Sequence, residues 1–119
     1  MNEAELKNRT KVFTLRIVKL VGSLPRSIAT EVIGKQLMKS GSSPGANYRA
    51  ACRSRSRREF LSKITVVEEE ADEAAYWLEV LSESKLVAAT KLRGLLEEAY
   101  ELTAIFTAIG KTTRKSLEP

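Results

Sequence analysis

A 4-3 spacing of apolar residues, sustained over seven positions in each of two stretches, constrains this chain more than any other feature. Phe60, Ile64, Val67, Ala71, Ala74, Leu78 and Leu81 recur at intervals of four and three, and Ala88, Leu92, Leu95, Ala99, Leu102, Phe106 and Ile109 do the same. That period puts each set on one face of an α-helix. Leu61, Ala75 and Trp77 widen the first stripe and Leu96 and Ile105 the second, to the breadth a bundle helix buries. Each stretch has about 26 residues and so spans about 40 Å at roughly 1.5 Å per residue. Only the short break at Ser82–Ser84 separates them, which predicts an antiparallel hairpin. Ser56-Arg57-Arg58-Glu59 has the S-x-x-E pattern in which a hydroxyl and a carboxylate satisfy the free amides of a helix start. Gly110 predicts the end of the last helix, with residues 111–119 as a frayed tail.

Near the N-terminus, Leu6, Thr10, Phe13, Ile17, Leu20 and Leu24 follow a 4-3-4-3-4 spacing, with Asn2 placed to cap the helix and Glu5 three positions on. Val12, Leu15 and Val18 lie off that seam, so the helix is apolar nearly all round. On a surface helix they would form an exposed stripe that something should cover, which makes them candidate oligomer contacts. Trp77, with Tyr76 beside it, reads as a further packing or interface residue. Residues 27–54 are ambiguous, because Gly41-Ser42-Ser43-Pro44-Gly45 looks like a loop. Length favours one helix kinked near Pro44, since two shorter pieces would leave half of the long hairpin uncovered. Strand-like alternation is absent. The expected fold is all-α, an antiparallel up-down-up-down four-helix bundle forming a single domain over residues 1–110.

Few kinds of chemistry are open to these residues. The chain has no histidine for acid–base or metal duty, no G-x-x-x-x-G-K-[ST] phosphate loop and no G-x-S-x-G elbow, which argues against an enzyme and for no cofactor. Glu68-Glu69-Glu70-Ala71-Asp72-Glu73 has the acid density of a di-iron carboxylate helix. Glu69 and Asp72 nevertheless point away from the Val67–Ala71–Ala74 seam, so an acidic outer face is expected there and no metal site. A lone Cys52 cannot form an internal disulfide and reads as a buried or half-buried small residue. No run approaches the roughly 20 apolar residues of a membrane span. The opening MNEAELKNR has acids where an export signal carries a basic then apolar run, so a cytoplasmic location is expected.

Charge is divided unevenly. Residues 1–58 carry thirteen Lys and Arg against three acids, and residues 59–119 carry seven against twelve, so +10 faces −5. Such separation suits an anionic partner or contact between copies. The stretch NYRAACRSRSRREF alone has five arginines in fourteen positions: Arg49, Arg53, Arg55, Arg57 and Arg58. Arg49 and Arg53 lie one turn apart on the second helix, and the others crowd the start of the third, where forked guanidinium donors and free amides can hold phosphate. Lys7, Lys11 and Lys19 would add to the field. The competing reading is a solvated corner whose arginines pair with Glu59 and the acidic face. Only Tyr48 and Phe60 are interleaved with the arginines, and Phe60 belongs to the core, so contacts would be mainly to phosphates rather than to bases.

The segment KQLMKSGSSPGANYRAACRSRSRREFLSKITVVEEEADEAAYWLEVL, residues 35–81, resembles the 23S rRNA-intervening-sequence proteins. The resemblance rests on Gln36-Leu37, the small-residue and Pro stretch ending in Ala46-Asn47, Ser56 nine residues on, Glu59-Phe60, and the Tyr76-Trp77-Leu78 of the third helix. It implies a four-helix bundle that assembles as a homopentamer. A related branch resembles the accessory variability protein of diversity-generating retroelements, which implies RNA or DNA and a protein partner such as a reverse transcriptase. The function expected is a non-enzymatic, oligomeric nucleic-acid-associated protein using the five arginines. The alternative is a structural or adaptor ring in which they serve subunit contacts.

Overall fold

Three connections of five residues each join the helices of the computed structural model, which describes all 119 residues. They link α1 (Glu3–Gly22), α2 (Ile28–Ala51), α3 (Arg57–Glu83) and α4 (Ala89–Ser116), and connections this short make successive helices antiparallel. The result is the up-down-up-down bundle, a rod of 52 × 24 × 21 Å without strands. No helix is long and apolar enough to cross a membrane.

Helix starts follow their capping chemistry. The Glu5 amide donates to the Asn2 side chain at 2.8 Å, that of Thr30 to Ser27 at 3.0 Å, and that of Glu59 to Ser56 at 3.1 Å. The Glu59 carboxylate completes the α3 cap by accepting from the Arg55 amide at 3.2 Å, one residue earlier than the simplest form of this motif. Only α4 starts without a side-chain cap, at Ala88. Its extended backbone suits a capping residue, so Ala88→Asp should stabilise the protein by about 1 kcal/mol through an acceptor for the free amides and a charge at the positive helix end. A thermal melt reads this as a rise in Tm of about 4 °C.

The 4-3 seams are the buried faces. Phe13, Ile17, Ile64, Leu78, Leu102 and Phe106 are fully enclosed, and Tyr48 meets Phe106 with ring centroids 5.3 Å apart. Thr10, polar on the α1 seam, turns its hydroxyl back to the Leu6 and Lys7 carbonyls at 3.0 Å, so its burial costs little. Packing is continuous from α1 through α2 and α3 to α4, whereas α1 and α4 meet over a short stretch. There Arg9 grips Glu98 through two bonds of 2.7 and 2.6 Å, which raises the guanidinium pKa and clips the seam.

Residues Gly41–Gly45 belong to α2, which passes through Pro44 as one helix. Proline removes the N–H that would reach the Ser40 carbonyl; at the adjacent Gly41 carbonyl, Thr14 of α1 donates its hydroxyl at 2.9 Å. The small residues serve tertiary packing: a Cβ on Gly41 would lie 2.6 Å from Ile17, and one on Gly45 would lie 3.4 Å from the Thr10 backbone. The end of α4 corrects the sequence expectation, since the helix does not stop at Gly110 but runs to Ser116. Gly110 is buried beside Ile64, Thr113 bonds back to the Ile109 carbonyl at 2.8 Å, and Arg114 and Lys115 suit the negative end of the helix dipole.

Candidate nucleic-acid interface

At one end of the rod, α2 finishes at Ala51 and a tight turn, with Arg53 N–H on the Ala50 carbonyl and Ser54 N–H on that of Ala51, delivers the chain to α3. Arg49 and Arg53, one turn apart on this end, share a shallow concavity of about 390 Å³ with Arg55 and, from α3, with Glu59 and Lys63. Arg57 and Arg58 stand outside it in the first turn of α3. All five arginines are exposed. The ion pairs of the chain employ Lys7, Arg9, Lys35, Lys39 and Lys63 and none of these five. Glu59, the acid nearest in sequence, caps α3 and pairs with Lys63 at 3.8 Å. The corner therefore carries cationic groups that the chain does not neutralise.

The remaining cations named from sequence divide. Lys7 and Lys11 lie with Arg49 along a groove of about 700 Å³ between α1 and α2. Lys7 is held by Glu3 at 3.1 Å, and Lys11 has no acidic partner. Lys19 is elsewhere, about 12 Å beyond Lys11 along α1 on the helical rise, beside Arg16, Lys91 and the α3–α4 connection. Lys63 was missed by the sequence reading. Its signal was the antiparallel α2–α3 pairing, which brings it opposite Ala46 and Arg49. Cys52 is half-buried; burial pushes its thiol pKa up, and burial likewise raises that of its neighbour Tyr48.

A second surface is apolar and acidic. Val12, Leu15 and Val18 are 44, 60 and 44% exposed, so the outer stripe of α1 faces outward as its spacing predicts. On α3, Glu69 and Asp72 are exposed, away from the seam. Trp77 packs partly against the core and meets the exposed Tyr76 edge to face at 5.0 Å. One Oε2 on each of Glu70 and Glu73, together with the Trp77 indole N–H, is buried without a hydrogen-bond partner in the chain, although Lys39 approaches Glu70 at 3.8 Å. Further along, Tyr100 donates to Glu79, which pushes its phenol pKa up to about 12.

Among solved structures, a crystal structure of a protein with unknown function from the S23 ribosomal protein family of Bacteroides thetaiotaomicron is similar over 93% of this chain and 99% of its own, at 31% identity and a TM-score of 0.85. None of the curated proteins compared matches. The family model described as 23S rRNA-intervening sequence protein matches residues 2–108, which takes in all of α1, α2 and α3 and most of α4. With that match and the bundle agreeing, the chain belongs to the 23S rRNA-intervening sequence protein family.

Proposed function

We propose that the protein is a non-enzymatic, homo-oligomeric nucleic-acid-associated protein that holds the phosphates of RNA or DNA with Arg49, Arg53, Arg55, Arg57 and Arg58. The observation that carries this reading is the set of five exposed guanidiniums at one corner with no carboxylate partner in the chain. Uncompensated cations next to the free amides of α3 favour a polyanion, and planar guanidinium forks match phosphate oxygens. The exposed aromatics Tyr76 and Tyr100 lie well along the rod from this corner, so contacts go to the backbone and carry little sequence information. Titrating salt against the affinity for a labelled mixed-sequence duplex tests the reading. One protomer's five arginines should give a log–log slope of about −4.5, at about −0.9 per phosphate. A slope near zero removes it.

A specific observation also favours the adaptor reading, a ring that binds a protein such as a reverse transcriptase. The exposed stripe of Val12, Leu15 and Val18 is what a covered surface leaves behind when its partner is taken away. The opposite charges of the two halves of the chain suit a head-to-tail contact, the kind that closes rings, in which one copy's basic side meets the next copy's acidic side. Native mass measurement distinguishes a pentamer from a monomer.

A further inference from the structure

We infer that the groove between α1 and α2 is a second phosphate-binding segment, joined to the arginine corner through Arg49, so that one nucleic-acid strand follows a continuous track. This rests on the nucleic-acid reading above and adds a site to it. The groove and the corner concavity are separate hollows that share Ala46 and Arg49. Its floor is set by the close approach of the two helices. Gly45 sits where a Cβ would meet the Thr10 backbone at 3.4 Å, and the flanking Ser42 and Ala46 are small, so no side chain fills the space between the walls.

The walls are cationic. Lys7 and Lys11 rise from successive turns of α1, and Arg49 faces them from α2; Glu3, on Lys7, is the only acid paired with any of the three. Both floor hydroxyls are committed as donors, Thr14 to the Gly41 carbonyl at 2.9 Å and Ser42 to the Met38 carbonyl at 2.6 Å. Recognition would therefore come from the ammonium and guanidinium groups, with Asn8 as a neutral donor at the rim. From Ser42 to Arg53 the track follows twelve residues of α2 and its end, about 16 Å on the helical rise. Duplex advances by about 3.4 Å per phosphate of one strand, so the track passes roughly five phosphates. Since no aromatic lines the groove, the bases face away from it.

The test measures fluorescence anisotropy of a labelled mixed-sequence DNA duplex with the full chain, the Lys11→Ala variant and the Ala46→Glu variant. Both positions are exposed on helices, so folding should be unaffected. Loss of one phosphate contact in Lys11→Ala should reduce the slope by about 0.9, equivalent to about 15-fold weaker binding near 50 mM salt relative to 1 M. Ala46→Glu, which puts an acid at the junction of the two hollows, should weaken binding by at least about tenfold at low salt. Lys19→Ala, remote from the track, should leave the slope unchanged. If Lys11→Ala binds like the native chain while Ala46→Glu, Arg53→Ala and Arg55→Ala bind weakly, only the corner is used: the groove inference fails and the nucleic-acid reading stands. A flat slope for the native chain removes both. Inorganic phosphate bound in the groove without any duplex binding also overturns the inference.

Discussion

Replacing Arg49, Arg53, Arg55, Arg57 and Arg58 together by alanine should remove most salt-sensitive nucleic-acid binding while the bundle stays folded. None of the five contributes an ion pair, and all are exposed, so each loss costs stability no more than about 0.5 kcal/mol. Raising salt from about 50 to about 200 mM should cost the native chain about 500-fold in affinity through these contacts, the product of a slope near 4.5 and a fourfold change in salt. The variant should lack that component. Because five cations are removed from a chain of net charge +5, the variant is neutral overall and needs a size-exclusion check for self-association. A companion in which all five become lysine keeps the charge; it should preserve the slope and bind more weakly, since an ammonium cannot make the bidentate fork. If the alanine variant instead falls apart into monomers with its duplex affinity unchanged, the arginines serve subunit contacts, and the adaptor reading replaces this one.

The parts of the molecule legible in sequence are those where one physical signal dominates. On α3, Ile64, Val67, Ala71, Ala74, Leu78 and Leu81 are all buried, because a helix with one apolar face has one way to remove it from water. The spacing fails only at its ends: Phe60 and Ile109 are half-buried and Ala88 is exposed, where neighbouring helices no longer cover the seam. Helix α2 was harder to read for a different reason. Ser40, Gly41, Pro44 and Gly45 have poor helix propensity, and at Gly41 and Gly45 the cause is the close passage of α1, a tertiary cause that a local reading registers only as a loop signal. Gly110 is the same case: it looked like a stop and is a buried helical residue next to Ile64. At the site, the density of arginine was plain in the sequence, whereas the groove was not. Lys11 and Arg49 are 38 positions apart, and only the antiparallel pairing of α1 with α2 brings them to one hollow. The same pairing carries Lys19 away from it.

Gly41→Ala should destabilise the protein although alanine is the better helix former, and the sign of that effect tests the close approach on which the groove depends. In an open helix position the exchange gains about 1 kcal/mol. Here the new Cβ would lie 2.6 and 2.7 Å from Cγ1 and Cγ2 of Ile17 and 3.0 Å from its Cβ. Ile17 is fully buried and branched at Cβ, so its χ1 is held and no flexible end can swing aside. The helices must separate, which strains the bond from Thr14 to the Gly41 carbonyl and the packing of Gly45 on Thr10. Overpacking costs about 1–3 kcal/mol, and a clash this close against a buried, branched side chain falls at the upper end, so the net loss after the propensity gain is about 1–2 kcal/mol and lowers Tm by roughly 4–8 °C. Gly94→Ala is the matched control, since its only near neighbour is the mobile Arg16 Nη2 at 3.2 Å; it should raise Tm by about 2–4 °C. Ile17→Ala removes both clashing Cγ atoms, so Gly41→Ala should cost less in the Ile17→Ala background than in the native chain, a coupling that appears only if the two residues touch. An increase in Tm for Gly41→Ala would mean that α1 and α2 stand further apart, that Lys11 and Arg49 no longer face each other across a narrow floor, and that the track has lost its geometric basis.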